Sequence, residues 1–201
     1  TTRSDVKMEE ALKRIAKGLA SCDKKVRDKT VKFLTGFLRK GSETLTDEEY
    51  SKIWRGLYFC MWHSDKPLIQ EDLASKLGEI GPSALGNKSF AFIGAFFREI
   101  KTQWDTIDDL RMEKFLRLVR RVLEGAVGVV VDSDWEAGSV SSFADAVLRH
   151  GAVDQAPVHP VPCDLALHVL SILVPTVVKV VGERKEGCVI PAVMTDAILD
   201  S

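Results

Sequence analysis

Apolar residues recur at intervals of three and four from Val6 to Val122, and this spacing constrains the fold more than any other feature of the chain. An α-helix completes a turn in 3.6 residues, so such spacing gathers one apolar stripe on each helix. Leu12, Ile15, Ala16 and Leu19 form the first stripe, with Lys13, Arg14 and Lys17 between them. Asp23 is placed to cap a second helix, which carries Val26, Thr30, Phe33, Leu34, Phe37 and Leu38 on one side and ends at Gly41. Thr46 and Glu49 form a capping box for a third, through Tyr50, Ile53, Trp54, Leu57, Tyr58 and Met61. Ser64 to Pro67 is a turn, and Pro67 suits the first turn of a fourth helix through Leu68, Leu73, Leu77 and Ile80. Gly81-Pro82 is expected to break it. A fifth helix holds Phe90, Ile93, Phe97, Ile100 and Trp104. A sixth, capped within Thr106 to Asp109, holds Leu110, Phe115, Leu118, Val119 and Val122.

Beyond Val122 the signal weakens. Val129 to Val131 has strand composition, but three β-branched residues are readily absorbed into a helix end, and no partner strand is visible. Asp134 is placed to cap a helix through Trp135, Phe143, Ala144, Val147 and Leu148 that stops near Gly151. Pro157, Pro160 and Pro162 imply a stiff extended loop. A long apolar helix follows from about Asp164, kinked at Pro175, and Pro191 is placed to start a short last one. Short turns between successive helices favour antiparallel neighbours. The expected fold is therefore all-α: a single domain over residues 1–201, built of paired antiparallel helices as a HEAT-like repeat or an irregular bundle. No clean repeat period of the tetratricopeptide or ankyrin kind is present.

The apolar share of 45% supports a sizeable core, and the net charge of -1 excludes a polycation that coats nucleic acid as a whole. Cys22, Cys60, Cys163 and Cys188 lack close pairing, which implies free thiols in a reducing compartment. The charged N-terminus does not read as a signal peptide. The uncharged stretch from Leu165 to Val178 includes His168, Ser171 and Pro175, and its length suits a buried helix better than a membrane span.

Enzymatic motifs do not emerge. There is no glycine-rich phosphate loop, no Gly-x-Ser-x-Gly elbow and no His-Glu-x-x-His helix. Cys60 and His63 form a lone Cys-x-x-His without a second ligand pair. Cys60 reads as core, His63 as a helix-end residue and His168 as a satisfied core histidine. Glu48-Glu49 and Asp108-Asp109 sit in first turns, where carboxylates complement the helix dipole. No cofactor, metal or small-molecule substrate is expected.

Two basic faces stand out. Lys25, Lys29 and Lys32 share one side of the second helix, opposite Phe33 and Phe37. Residues 1–40 hold twelve Lys/Arg against five Asp/Glu, a local excess of seven. Lys114, Arg117, Arg120 and Arg121 lie opposite Phe115, Val119 and Val122 on the sixth helix. Each face reads either as the solvated side of an amphipathic helix or as a contact for RNA phosphates. No aromatic residue interleaves the lysines, as a stacking platform for single strands requires. The third helix is apolar nearly all round from Trp54 to Trp62, which marks a central element, and Gly56 in its middle implies close approach by a neighbour. After it, Asp65, Lys66, Gln70 and Glu71 either cap locally or engage a partner.

The segment Trp54 to Leu73, WRGLYFCMWHSDKPLIQEDL, resembles the signature of the eukaryotic ribosomal RNA-processing protein 1 family of nucleolar proteins. Phe97-Arg98-Glu99 with Trp104 to Arg121 (WDTIDDLRMEKFLRLVRR) resembles its second marked block, and Leu19 to Leu38 fits its opening. Leu165 to His168 matches more weakly, as does Gly125 to Pro162, and His63 departs from the family pattern. The resemblance implies a helical-repeat domain, nucleolar residence, and a part in maturing the large ribosomal subunit as an assembly factor without an active site. Its partners would be other large-subunit assembly factors and precursor ribosomal RNA, with no membrane involved. It also implies a basic tail beyond Ser201. The rival readings are a helical-repeat adaptor in transport or signalling and a direct RNA-processing enzyme.

Overall fold

A computed structural model of the chain describes residues 3–41, 45–153 and 160–184, and among them every regular element is helical. The helices are α1 (Arg3–Leu19), α2 (Lys24–Gly41), α3 (Asp47–Trp62), α4 (Pro67–Leu85), α5 (Ser89–Gln103), α6 (Asp109–Asp132), α7 (Ala137–Phe143) and α8 (Cys163–Arg184). Short 3-10 turns precede and follow α5, and a π-helical segment, Ala144–Val153, continues α7. The sequence-placed starts hold where cap chemistry dictates them. Thr46 and Glu49 close both halves of the capping box, Asp23 Oδ1 accepts the Lys25 amide at 2.8 Å, and Asp108 caps α6 through the Arg111 amide. The residues around Pro157 and Pro191, and Cys188, lie outside the described residues.

Helices two apart in the chain pack side by side. α1, α3, α5 and the π-helical segment stack in that order, and so do α2, α4, α6 and α8. Two layers of helices result, with one continuous apolar core from Ile15 in α1 to Val181 in α8. This is helical-repeat packing, in which each helix pair covers the face left bare by the previous one.

Aromatic side chains of α3 and α5 fill the middle. The Trp54 indole is 2% exposed, its Nε1 donates to the Phe92 carbonyl oxygen at 2.8 Å, and its ring sits 4.8 Å from those of Phe92 and Phe96. Leu57, Phe97 and Phe115 are buried as expected, and Phe37 is half-buried. Leu19 of α1 packs onto Gly56, where a Cβ would lie 3.0 Å from Leu19 Cδ1. That is the close approach the glycine implied.

Several expectations need correction. Pro82 does not end α4, which runs on to Leu85. Its missing N–H leaves the Gly78 carbonyl without a helical donor, and that carbonyl faces the backbone of α6 at Gly125. Packing against α6 therefore holds the last turn in place. Phe33 is 41% exposed, because α2 turns Arg27, Val31, Leu34 and Leu38 to the core instead. Leu110, in the first turn of α6, is 94% exposed. Glu136 rather than Asp134 caps α7, through the amides of Gly138 and Ser139; Asp134 and Trp135 both take left-handed backbone conformations before it. The helical run ends at Val153, near Gly151 as expected, and the absent Cβ of Gly151 makes room for the Phe97 ring. Val129 to Val131 belong to α6 and are buried.

α8 packs on α6 through Leu165, Val169, Leu173 and Val177 and runs through Pro175 unbroken. By length and composition it is apolar enough to cross a membrane. It is not wholly buried, as the sequence suggested: Leu167, Leu170, Val174 and Val178 form an exposed stripe on its outer side. Lys179 to Glu124 at 2.7 Å, and Arg184 to Asp132, fasten it to α6.

Candidate interaction surfaces

The turn between α3 and α4 gathers hydrogen bonds from three helices. A helix C-terminus presents carbonyls without partners and a partial negative charge, which favours cationic donors. Lys114 of α6 supplies one: it is 4% exposed and donates to the Trp62 carbonyl at 2.6 Å and the Ser64 carbonyl at 2.9 Å. Burial pushes its pKa down, yet the two carbonyls hold the ammonium in place. Arg27 of α2 is 6% exposed and bridges the Ser21 and Cys22 carbonyls, each at 2.9 Å, to the His63 carbonyl at 3.4 Å. Gln70 Nε2 donates to the Ser64 carbonyl at 2.9 Å. Three elements thus converge on the signature turn, and they do so to hold it.

Glu71 opens a second network. Arg121 donates to its carboxylate through Nε at 2.8 Å and through a second nitrogen, and Arg117 Nε lies 3.3 Å away. Hydrogen bonding from Arg121 holds the Glu71 carboxyl below its ordinary range. Arg121 also pairs with Glu124 at 2.6 Å, and Glu124 with Lys179. The chain of charges crosses from α4 through α6 to α8. It corrects the picture of α6 as an open basic face: Lys114 is buried, Arg117 and Arg121 are neutralised by glutamates, and Arg120 alone of the four is exposed. The spacing was right, but the partners lay on α4, some fifty positions away.

Other candidates are outward. Asp65 and Lys66 are exposed on the turn, beside Leu68 at 85% exposure. Lys25, Lys29 and Lys32 are exposed on α2, and none of their ammonium groups has an ion pair or hydrogen bond among the described residues. Phe33 emerges next to them, stacked on Phe37 with ring centroids 6.4 Å apart and with the Arg14 guanidinium 5.0 Å from its own centroid. The basic side of α2 therefore does carry an aromatic ring, contrary to the sequence reading. Helical spacing placed Phe33 on an apolar stripe, but α2 has two adjacent stripes and periodicity does not say which one faces the core.

Cys60 is buried, its thiol pushed up to about 11 by desolvation, while His63 is exposed, so the two form no ligand pair. Cys22 and Cys163 are exposed free thiols. His168 is half-buried with Nε2 3.2 Å from the Leu116 carbonyl oxygen, which fixes the proton on that nitrogen, and burial lowers its pKa. Among the described residues no group of three His, Cys, Asp or Glu is placed to hold a metal.

The family described as nucleolar protein Nop52 matches residues 10–198. Ribosomal RNA processing protein 1 homolog B of Homo sapiens is 31% identical over 88% of this chain and 24% of its own length. The Drosophila melanogaster ribosomal RNA processing protein 1 homolog is 36% identical over 65% of this chain and 20% of its own. The Mus musculus homolog B is 34% identical over 67% of this chain and 19% of its own. The chain thus spans about a quarter or less of these relatives.

Proposed function

This chain belongs to the Nop52 family of nucleolar proteins, and from that premise we propose that it is a non-enzymatic scaffold in ribosomal RNA processing, working on the precursor of the large ribosomal subunit in the nucleolus. One observation carries the scaffold reading. Five polar residues of the family-like blocks, Gln70, Glu71, Lys114, Arg117 and Arg121, bond to one another or to the α3–α4 turn, while Asp65, Lys66 and Arg120 stay exposed. Residues kept for catalysis would converge on an open cleft, whereas these brace the stack of helices and hold its surfaces in register. The names of the relatives support a role beside ribosomal RNA processing. On this reading the partners are other assembly factors, docked on the two-layered surface, with ribosomal RNA touched by the exposed basic side of α1 and α2.

Affinity purification of the tagged protein from nucleolar extract tests the proposal. Assembly factors and precursor large-subunit RNA are expected to co-purify. Recovery of transport or signalling proteins without ribosomal RNA would favour the general adaptor instead. The purified chain, incubated with precursor RNA and magnesium, is expected to leave the RNA intact. Cleavage that tracks the protein through purification would replace the scaffold with an enzyme.

A further inference from the structure

The face shared by α1 and α2 differs from the rest of the surface in one respect. Elsewhere the cations are mostly paired: Lys13 with Glu9, Lys52 with Glu48, Arg55 with Glu99, Lys76 with Asp72, Arg149 with Asp145. Arg14, Lys17 and Lys29 have no ion pair among the described residues, and they line the same open groove of about 400 Å³. No described acidic residue lines it. At its floor Gly18 of α1 packs onto Thr30 of α2, since a Cβ on Gly18 would lie 2.2 Å from Thr30 Oγ1. Val26 and Phe33 are apolar, 40% and 41% exposed, and stand in the groove among the cations.

Three properties coincide there. The charge is positive and uncompensated, which favours a polyanion and makes binding depend on salt. A planar guanidinium lies over an aromatic ring, the Arg14–Phe33 pair, and nucleobases stack on both kinds of surface. A duplex keeps its bases stacked and turned inward, so it offers no free base to the Arg14–Phe33 pair. An acidic peptide would satisfy the charges but would leave the stacked pair without a planar partner.

We propose that the α1–α2 groove binds single-stranded RNA, with a base stacked on the Arg14–Phe33 pair and adjacent phosphates held by Lys17 and Lys29. The proposal deepens the RNA part of the function proposed above and rests on it.

Fluorescence anisotropy of the 201-residue chain with a labelled ten-nucleotide single strand, measured across salt concentrations, provides the test. A matched RNA duplex and a glutamate-rich peptide serve as competitors. Single strands are expected to bind best. The double variant Lys17→Gln/Lys29→Gln should reduce the slope of log affinity against log salt by about 1.4, since each single-strand phosphate contact contributes about 0.7. Phe33→Leu should weaken binding by about fivefold or more with the slope unchanged, because it removes a stacking surface and no charge. These side chains are exposed, so circular dichroism and melting temperature should match those of the parent. If both variants bind with the parental affinity and slope, RNA uses another face, and the groove proposal fails while RNA binding stands. If the parent does not bind single strands, or the acidic peptide or the duplex binds more tightly, the groove is not a site for single-stranded RNA. Co-purification with preribosomal particles would then decide the scaffold reading separately.

Discussion

Lys114 shows how one side chain changes meaning between sequence and structure. On a helical wheel it belongs with Arg117, Arg120 and Arg121, a polar face turned to water. In the fold it is the donor that closes the C-terminus of α3, and nothing in its local sequence announces the two carbonyls some fifty residues away. Lys114→Met keeps the length of the stem and removes the donors. The Ser64 carbonyl retains Gln70, whereas the Trp62 carbonyl loses the ammonium. A buried carbonyl without a partner costs about 1–3 kcal/mol, so the urea midpoint should fall by that equivalent with an unchanged slope. An unaltered midpoint would mean the turn holds itself. Glu124 makes a second prediction, in pH. Burial alone would raise its carboxyl pKa, but hydrogen bonds from Lys179 and Arg121 outweigh it, and the group lies below the ordinary value of 4.5. A carboxylate depressed in the folded state stabilises the protein above the unfolded value, and that contribution is lost as pH falls through the folded one. Glu124→Gln should therefore melt below the parent at pH 7, and the gap should close as the pH drops below 4.5. A gap that stays constant down to pH 3 would show that the charge of Glu124 contributes nothing.

At the scale of elements, α4 and α6 share the most extensive contact, and two glycines let their backbones approach. A Cβ on Gly125 would stand 2.3 Å from the Gly78 carbonyl oxygen, and one on Gly78 would stand 2.4 Å from the Arg121 carbonyl oxygen. Both obstacles are backbone, which yields less readily than a side chain. Alanine is the better helix former by about 1 kcal/mol, so an open site and a crowded one should respond with opposite signs. Gly36, in α2, has nothing within 4 Å of its would-be Cβ. Gly36→Ala should stabilise the protein by up to about 1 kcal/mol. Gly125→Ala should destabilise it by about 1–3 kcal/mol, the usual cost of forcing extra atoms into a packed contact. Chemical denaturation of the two variants checks both signs; equal effects would show that α4 and α6 can move apart freely. The elements themselves were legible because caps and periodicity are local: Thr46 with Glu49, Asp108 and Pro67 sit where the chain needs them. The survival of α4 past Pro82 was not legible, because the helix on the other side of the contact overrides a local rule. The rotation of α2 was hidden for a related reason. Val26, Thr30, Phe33 and Phe37 make as good a stripe as Val31, Leu34 and Leu38, and only the positions of α1 and α4 choose between them.

Across the whole molecule, order in the chain becomes order in space: each helix rests on those two before and two after it. The two marked family-like blocks fall in the middle of this stack, in α3, the start of α4, and α5 to α6, while the stretch that fits the family's opening, Leu19 to Leu38, lies at its outer end. The charged residues that looked like a binding face are there chiefly because three helices must be joined across α4, α6 and α8. The groove with unpaired cations lies instead at the outer end, between α1 and α2. Such a stack should not open uniformly. A helix in the middle is covered by neighbours on both sides, whereas α1 and α8 are covered on one, and local stability in stacked helices follows the number of interfaces each helix makes. The amides of α5 and of α6 around Phe115 to Val131, whose side chains are mostly buried, should therefore exchange with deuterium most slowly. Those on the outer face of α8, around Leu167, Leu170, Val174 and Val178, should exchange sooner, and α1 sooner than α3. Hydrogen exchange read by mass spectrometry on the intact chain gives the ranking directly. If α8 proved as protected as α6, its apolar outer stripe would have to be covered in solution, and a second copy of the chain would be the first occupant to look for. Light scattering at the exchange concentration would identify it.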